Sequence, residues 1–567
     1  MMPSVPVAHR RGTVPAATMP AAVQDERSRP GIAGTLRVVW SEIRTDFVAT
    51  ILLLVALVIG FLHGWLKMKY QFTWMTFAFD VPVLASLSVT LAMLPRGTRW
   101  FPECGVSTSI KFLLAVCAIW AVLPFQVPWL AVVASYRAWC FSPILFLLGY
   151  HLFRTVRKVE LVIWGVLGLA MATAVYGIFF QTEAEIREMM KNSPEMQLRL
   201  VGNFYATTTG AEFRRFSTFV TAAVFGATMA ACTQFAVSRL FLPGCKLIER
   251  ALLLVITGMC TYAVVLSGSR TSLLLLGTSL VMTTIVRRGR LQWLVFPAIT
   301  AGALYLGVSA TKGGAGERFG SLLDSTTVLM RLFIVLGPMW RSLLAAPLGH
   351  GVGASGFGVP SVLVPQLREM LRESPGANEI EGADGDLGRL AIDLGIVGLT
   401  AYAFLIYHGV RDSLRWMWTL RDSRLGVVGV PAGAWFFMSL VQIPTGSPYL
   451  GIPFGPLTWI MLGALRRLID EYDALKVIHG EDVESLPQFA SFIQAPKLAS
   501  LFGTRGPVAA GMPPVLRAAS VHRRPGPGPV AMVSRPQSLG IGRPDKTPGA
   551  GRPAKRFLFP RNRPGGE

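Results

Sequence analysis

The chain has 567 residues, of which 52% are hydrophobic and only 15% charged, and its mean hydropathy is +0.49. A soluble domain carries about a quarter charged residues, so this balance excludes an ordinary water-soluble enzyme and points to lipid as the solvent. The formal net charge of +22 does not indicate a nucleic-acid partner, because the basic residues crowd into the stretch from Lys497 onward, where only Asp545 and Glu567 oppose them.

Residues 1–46 are polar and mixed in charge and contain no short apolar segment followed by a small-residue cleavage site. They are expected to form a mostly disordered cytoplasmic tail, with the first span acting as the insertion signal. From Phe47 onward, apolar runs recur at roughly 47–67, 72–94, 108–126, 134–153, 159–180, 216–238, 248–267, 271–286, 291–308, 390–410, 425–444 and 447–466. Each approaches the length that crosses the hydrocarbon core, so the chain is predicted to be all-α and polytopic, with about twelve transmembrane helices in a membrane domain over 47–470. The remainder, 471–567, is a basic Pro- and Gly-rich tail that cannot bury a core and rests in solvent or against anionic headgroups.

Basic residues remain on the cytoplasmic side of a membrane. The segments Arg154–Lys158, Arg239–Arg250, Arg287–Arg290, Arg411–Arg424 and Arg466–Lys476 alternate as those spans require, so both termini are expected in the cytoplasm. Lys67–Tyr70 is a small violation. Val328–Ala346 is apolar but contains Arg331, Pro338 and Arg341, and an extra crossing there would break the alternation. It is predicted to be an amphipathic helix on the outer face. Two long loops, 181–215 and 309–389, then face the periplasm, and long loops in a compact protein usually carry function.

Three arginines map to that outer boundary although they are far apart in sequence. Arg215 opens a span, Arg270 sits between two spans among small residues, and Arg331 lies on the amphipathic helix. A guanidinium keeps its charge when partly desolvated and offers a planar fork to phosphate oxygens. The alternative is a set of interfacial anchors that snorkel to headgroups. General-base candidates come from the acidic loop before the tenth span, above all Asp384 and Asp386, and from His350 in a glycine-rich turn. Asp80 and Asp393 are acids inside spans, the first expected to be paired or to line a polar cavity. The six cysteines show no metal-ligand spacing, and the sequence calls for no cofactor.

Taken in order, these segments resemble a known family. R-x-S-T-F (Arg215–Phe219) is followed by L-S-G-S-R-T-S (Leu266–Ser272), then by Asp324-Ser325 with Arg331 on a helix, then by P-L-G-H-G-V-G (Pro347–Gly353) and L-x-x-L-A-I-D-L-G-I-V-G-L (Leu387–Leu399). Over about residues 200–410 the series is similar to the O-antigen ligase and polymerase superfamily, the Wzy/WaaL-type membrane glycosyltransferases. The resemblance implies an undecaprenyl-pyrophosphate-linked glycan as substrate, with its pyrophosphate held at the periplasmic face by Arg215, Arg270 and Arg331. It also implies inverting, metal-independent transfer, and membrane lipids and a Wzz-like chain-length regulator as partners. Where family ligases carry a histidine eleven residues before Gly395, this chain has Asp384. That departure favours a polymerase for exopolysaccharide or O antigen over a ligase acting on a lipid A-core acceptor. A lipid-linked glycan flippase is the rival from another class; it would show an internal repeat, and the sequence shows none.

Overall fold

The structure, a computed structural model, describes residues 32–70, 77–95, 97–123, 127–191, 204–207, 210–240, 246–287, single positions between 298 and 305, 325–359, 364–371, 385–421, 425–445 and 449–479. All of them belong to one compact unit, Met1–Pro496. The basic tail from Lys497 and most of the expected span 291–308 lie outside the described residues.

The described chain is a helical bundle. Its helices are α1 (Ile32–Tyr70), α2 (Asp80–Ala92), α3 (Gly105–Val122), α4 (Trp129–Leu152) and α5 (Val156–Val175), the last continued by a π-helical turn over Tyr176–Phe180. The long loop that follows holds α6 (Glu183–Lys191) and an antiparallel hairpin of β1 (Phe204–Thr207) and β2 (Gly210–Phe213). The helices then run α7 (Ala222–Leu240), α8 (Leu247–Leu266), α9 (Arg270–Arg287), α10 (Ser325–Ala345), α11 (Val364–Leu371) and α12 (Gly385–Leu420). The chain closes with α13 (Gly426–Met438), a 3-10 segment over Ser439–Thr445, and α14 (Phe454–His479).

Among the described residues, six helices are long and apolar enough to cross a membrane, and the apolar helices Asp80–Ala92, Arg270–Val286 and Val428–Met438 are shorter. The all-α membrane class is therefore met. α1 shows why lipid is the solvent. Ala49, Leu53, Ala56 and Leu57 are buried while Phe47, Ile51, Val55 and Val58 face outward, so the helix is apolar on every side. The segment expected to be an amphipathic helix is helical, as α10, which packs on α12 and leaves Leu329, Phe333, Leu336, Trp340 and Leu344 as one exposed apolar stripe.

Small residues set the closest packing. A Cβ on Gly149 of α4 would lie 1.9 Å from the Ile460 carbonyl oxygen, and one on Gly463 of α14 would lie 2.0 Å from that of Phe146. The two helices thus meet backbone to backbone, as expected where dispersion rather than water drives association. One end of the bundle is tied by Arg239, whose Nη1 donates to Glu160 and whose Nε donates to Glu249, each at 3.1 Å, with Trp164 beneath the guanidinium. At the same end Tyr150 donates to Asp470 at 3.0 Å. The opposite end carries the C-termini of α1 and α8, the N-termini of α4, α7 and α9, and everything described next.

α12 is two helices joined across a break. Gly395 has φ 58° and ψ −149°, outside helical space and reserved in practice for glycine. The turn after α10 fills the break: His350 N donates to Ile392 O (2.7 Å), Gly351 N to Asp393 O (3.0 Å) and Ile396 N to Pro347 O (2.9 Å). Backbone groups released by the break are satisfied by this loop, as buried backbone must be.

Candidate functional site

The strip Arg214–Thr218 is a heavily secured irregular segment at this end. Gln181, just past the π-turn, accepts from the backbone N–H groups of Phe216 (3.1 Å) and Ser217 (2.9 Å) and donates back to the Ser217 carbonyl (3.1 Å). The Ser217 hydroxyl donates to Thr173 O at 2.6 Å, and Ser217 itself holds φ 53°, a strained value for a residue with a side chain. Thr218 docks on α1, where its hydroxyl donates to Phe61 O and its carbonyl accepts from Trp65 N at 2.9 Å. Gly64 permits this approach, since a Cβ there would lie 2.2 Å from the Phe219 backbone.

The same strip is bonded to the α8–α9 turn. Arg215 N donates to Leu266 O at 3.2 Å and Arg214 Nε donates to Ser267 O at 3.0 Å. Arg270 opens α9 from that turn, between the buried Ser269 and Ser272. The two sequence-predicted arginine motifs are therefore one structural unit. Arg215 is half-buried over the Phe213 ring at 5.7 Å; burial lowers its guanidinium below its ordinary value, and nearby Tyr262 and Glu183 act against that. The third arginine, Arg331, lies on α10, and its side chain falls outside the described residues.

The base candidates map differently. Asp386 sits in the first turn of α12, fully buried, and accepts from the Tyr402 hydroxyl at 2.7 Å. His350 lies in the turn that fills the α12 break, with Nε2 enclosed and without a hydrogen-bond partner among the described residues. Burial lowers its pKa, which keeps the imidazole neutral at pH 7. Asp384 lies outside the described residues. Asp393 proves structural: its carboxylate accepts from Trp139 Nε1 (2.9 Å) and Ser355 N (2.7 Å), which pins the glycine turn to α4 and α12.

Sequence reasoning missed the partner of Asp80. Arg137 of α4 grips that carboxylate through Nε and Nη2, both at 2.6 Å, and its guanidinium lies over the rings of Phe77 and Phe141. The signal was an arginine in the first turn of the expected span 134–153. Arg137 also borders a cavity of about 280 Å³, lined with it by His63, Phe141, Ser142, Thr221 and Phe357 among others. Among the described residues no group of His, Cys, Asp and Glu side chains is placed to hold a metal ion.

The fold and this end of the bundle define an all-α membrane protein whose polar machinery is gathered at one end. No family model matches the chain, and no curated protein matches it closely enough to count as a relative.

Proposed function

We propose that the protein is a polysaccharide polymerase of a bacterial inner membrane, joining undecaprenyl-pyrophosphate-linked repeat units on the periplasmic face. The observation that carries this reading is the union of two remote arginine motifs, made by the bonds from Arg214 and Arg215 to the Ser267 and Leu266 carbonyls beside Arg270. A rigid, partly desolvated cationic edge at the mouth of a membrane bundle suits the diphosphate of a lipid carrier. The alternation of basic loops then puts this end outside, both termini inside, and makes the full count about twelve spans.

In the reaction an acceptor hydroxyl oxygen attacks the anomeric carbon of the donor glycan. A glycosidic C–O bond forms as the C–O bond to the diphosphate breaks, and the carrier leaves as the diphosphate anion. Arg215 and Arg270 stabilise the charge that develops on it, with Arg331 as the third cation that the sequence motif assigns. The hydroxyl proton passes to a carboxylate, either Asp386 in the first turn of α12 or Asp384, the position the sequence motif assigns. A single displacement inverts the anomeric centre.

Lipid extraction and mass spectrometry of cells expressing Arg270→Ala test the reading. Single lipid-linked repeat units should accumulate and long polymer should vanish while protein level stays normal, and Arg270→Lys should remain poor because an ammonium lacks the fork. Normal polymer in Arg270→Ala removes the site assignment. Long polymer retained on its carrier in the null strain would identify a ligase, and repeat units confined to the inner leaflet a transporter.

A further inference from the structure

We propose that the exposed stripe of α10 is a membrane-docking face. The helix lies along the lipid boundary at the arginine end of the bundle, with the stripe among the upper acyl chains of the phospholipids.

Leu329, Phe333, Leu336, Trp340 and Leu344 recur at helical spacing and so line one face of α10. That face is open: Phe333 is 75% exposed, Leu344 68% and Trp340 61%, values at which large apolar side chains need a cover. On the far side Pro338 and Ser342 are buried, and the helix packs on α12 and on the 3-10 segment Ser439–Thr445.

The cover is lipid because the stripe continues a surface that already faces lipid. Trp120 of α3 donates from Nε1 to Leu348 O at 2.8 Å, and Gly353 lies against Ala131 O of α4. The turn that ends α10 is thereby seated on the adjoining ends of α3 and α4, two of the helices long and apolar enough to cross a membrane. Val122, Trp129 and Leu130 are exposed at those ends, and the open flank of α3 runs on through Ile119 and Phe112. α10 extends that flank.

Charge fits the same occupant. From Ser325 to Val359 the only Asp, Glu, Lys or Arg residues are Arg331 and Arg341. A basic segment without an acid suits the phosphates and anionic headgroups of a bilayer. Tryptophans such as Trp129 and Trp340 gather at that depth. A crossing is disfavoured, since two arginines would enter the hydrocarbon with the helix. On the polymerase reading, docking keeps the helix that carries Arg331 level with the diphosphate of a lipid carrier; the lipid contact itself does not depend on that reading.

The test is photolabelling of the full-length protein in nanodiscs of phosphatidylethanolamine and phosphatidylglycerol, with adducts mapped by mass spectrometry. One phosphatidylglycerol probe carries a diazirine near its headgroup and a second carries it at the end of an acyl chain. The headgroup-proximal probe should label Leu329–Leu344. The chain-end probe should label α1 around Val55 and Val58 and spare α10. Trp340→Glu combined with Leu344→Glu should cut the α10 adducts severalfold while labelling of α1 stays unchanged, which shows that the bundle is intact. Trp340→Gln is the milder second variant and should cut them less. Labelled α1 with unlabelled α10 overturns the proposal, because a second copy or another protein then covers the stripe. Labelling of α10 mainly by the chain-end probe overturns it in favour of a crossing helix, and adducts that survive the paired Glu substitutions overturn the stripe as the contact. Normal polymer from a variant that has lost its adducts keeps the docking face and retires the role given to the helix in the polymerase reading.

Discussion

Gln181 shows how much can rest on one side chain outside any regular element. Its amide oxygen takes two backbone N–H groups and its amide nitrogen satisfies a carbonyl, all buried. Gln181→Ala leaves those groups without partners, and each orphaned group costs about 1–3 kcal/mol. The expected result is a lower unfolding midpoint in detergent and, on the polymerase proposal, loss of polymer, because the strip that carries Arg215 loosens. A variant with wild-type stability and product would mean that the strip holds its shape without the amide. Nothing in the sequence marks Gln181, since its partners Phe216 and Ser217 lie 35 and 36 residues away. Arg215 and Arg270 were legible because each stands at the edge of an apolar run. Arg137 stood within one, and only the structure shows that Asp80 answers it.

At the scale of elements, hydropathy was a good guide to where helices lie and a poor guide to where they break. The run Leu390–Leu399 lies within an expected span and, but for Asp393, is free of charge, yet Gly395 breaks the helix there. The cause is tertiary: a Cβ on Gly395 would lie 2.2 Å from Pro347 O, within the turn that fills the break. Periodicity cannot report such a contact. Gly395→Ala meets both that clash and an unfavourable φ, whereas Gly168→Ala in α5 meets nothing within 4 Å. The first should abolish folded protein on detergent size-exclusion chromatography and the second should elute as wild type; equal profiles would mean that the turn is not docked as described. The loop 181–215 was likewise expected as a loop, and its helix α6 and hairpin were not foreseen because both are short and polar.

At the scale of the whole molecule, the two ends of the bundle are built from different chemistry. One is closed by charge: Arg239 is enclosed between two glutamates, and the guanidinium groups of α14 are paired with Asp470 and Glu471 one turn on. The other is held mainly by hydroxyls, amides and backbone, with the Asp80–Arg137 pair and the Arg214 bond to Ser267 O among its ties. Sequence reading located the second end through basic loops and long connections, but it could not give the bonds that make the end rigid.

The Asp80–Arg137 pair has a consequence for how the protein reaches its membrane. Asp80 emerges from the ribosome 57 residues before the arginine that neutralises it. Asp80 is the first residue of the short apolar helix α2, and an aspartate carried to the membrane without its partner raises the cost of leaving the translocon. We infer that α2 waits beside the translocon until α4 arrives and that the first four helices enter lipid as a group. A glycosylation-tag reporter should show α2 poorly integrated in chains that stop after α3 and in full chains with Arg137→Ala. Efficient integration of the truncated chain would mean that α2 enters alone, and that the pair forms only after the membrane has been crossed.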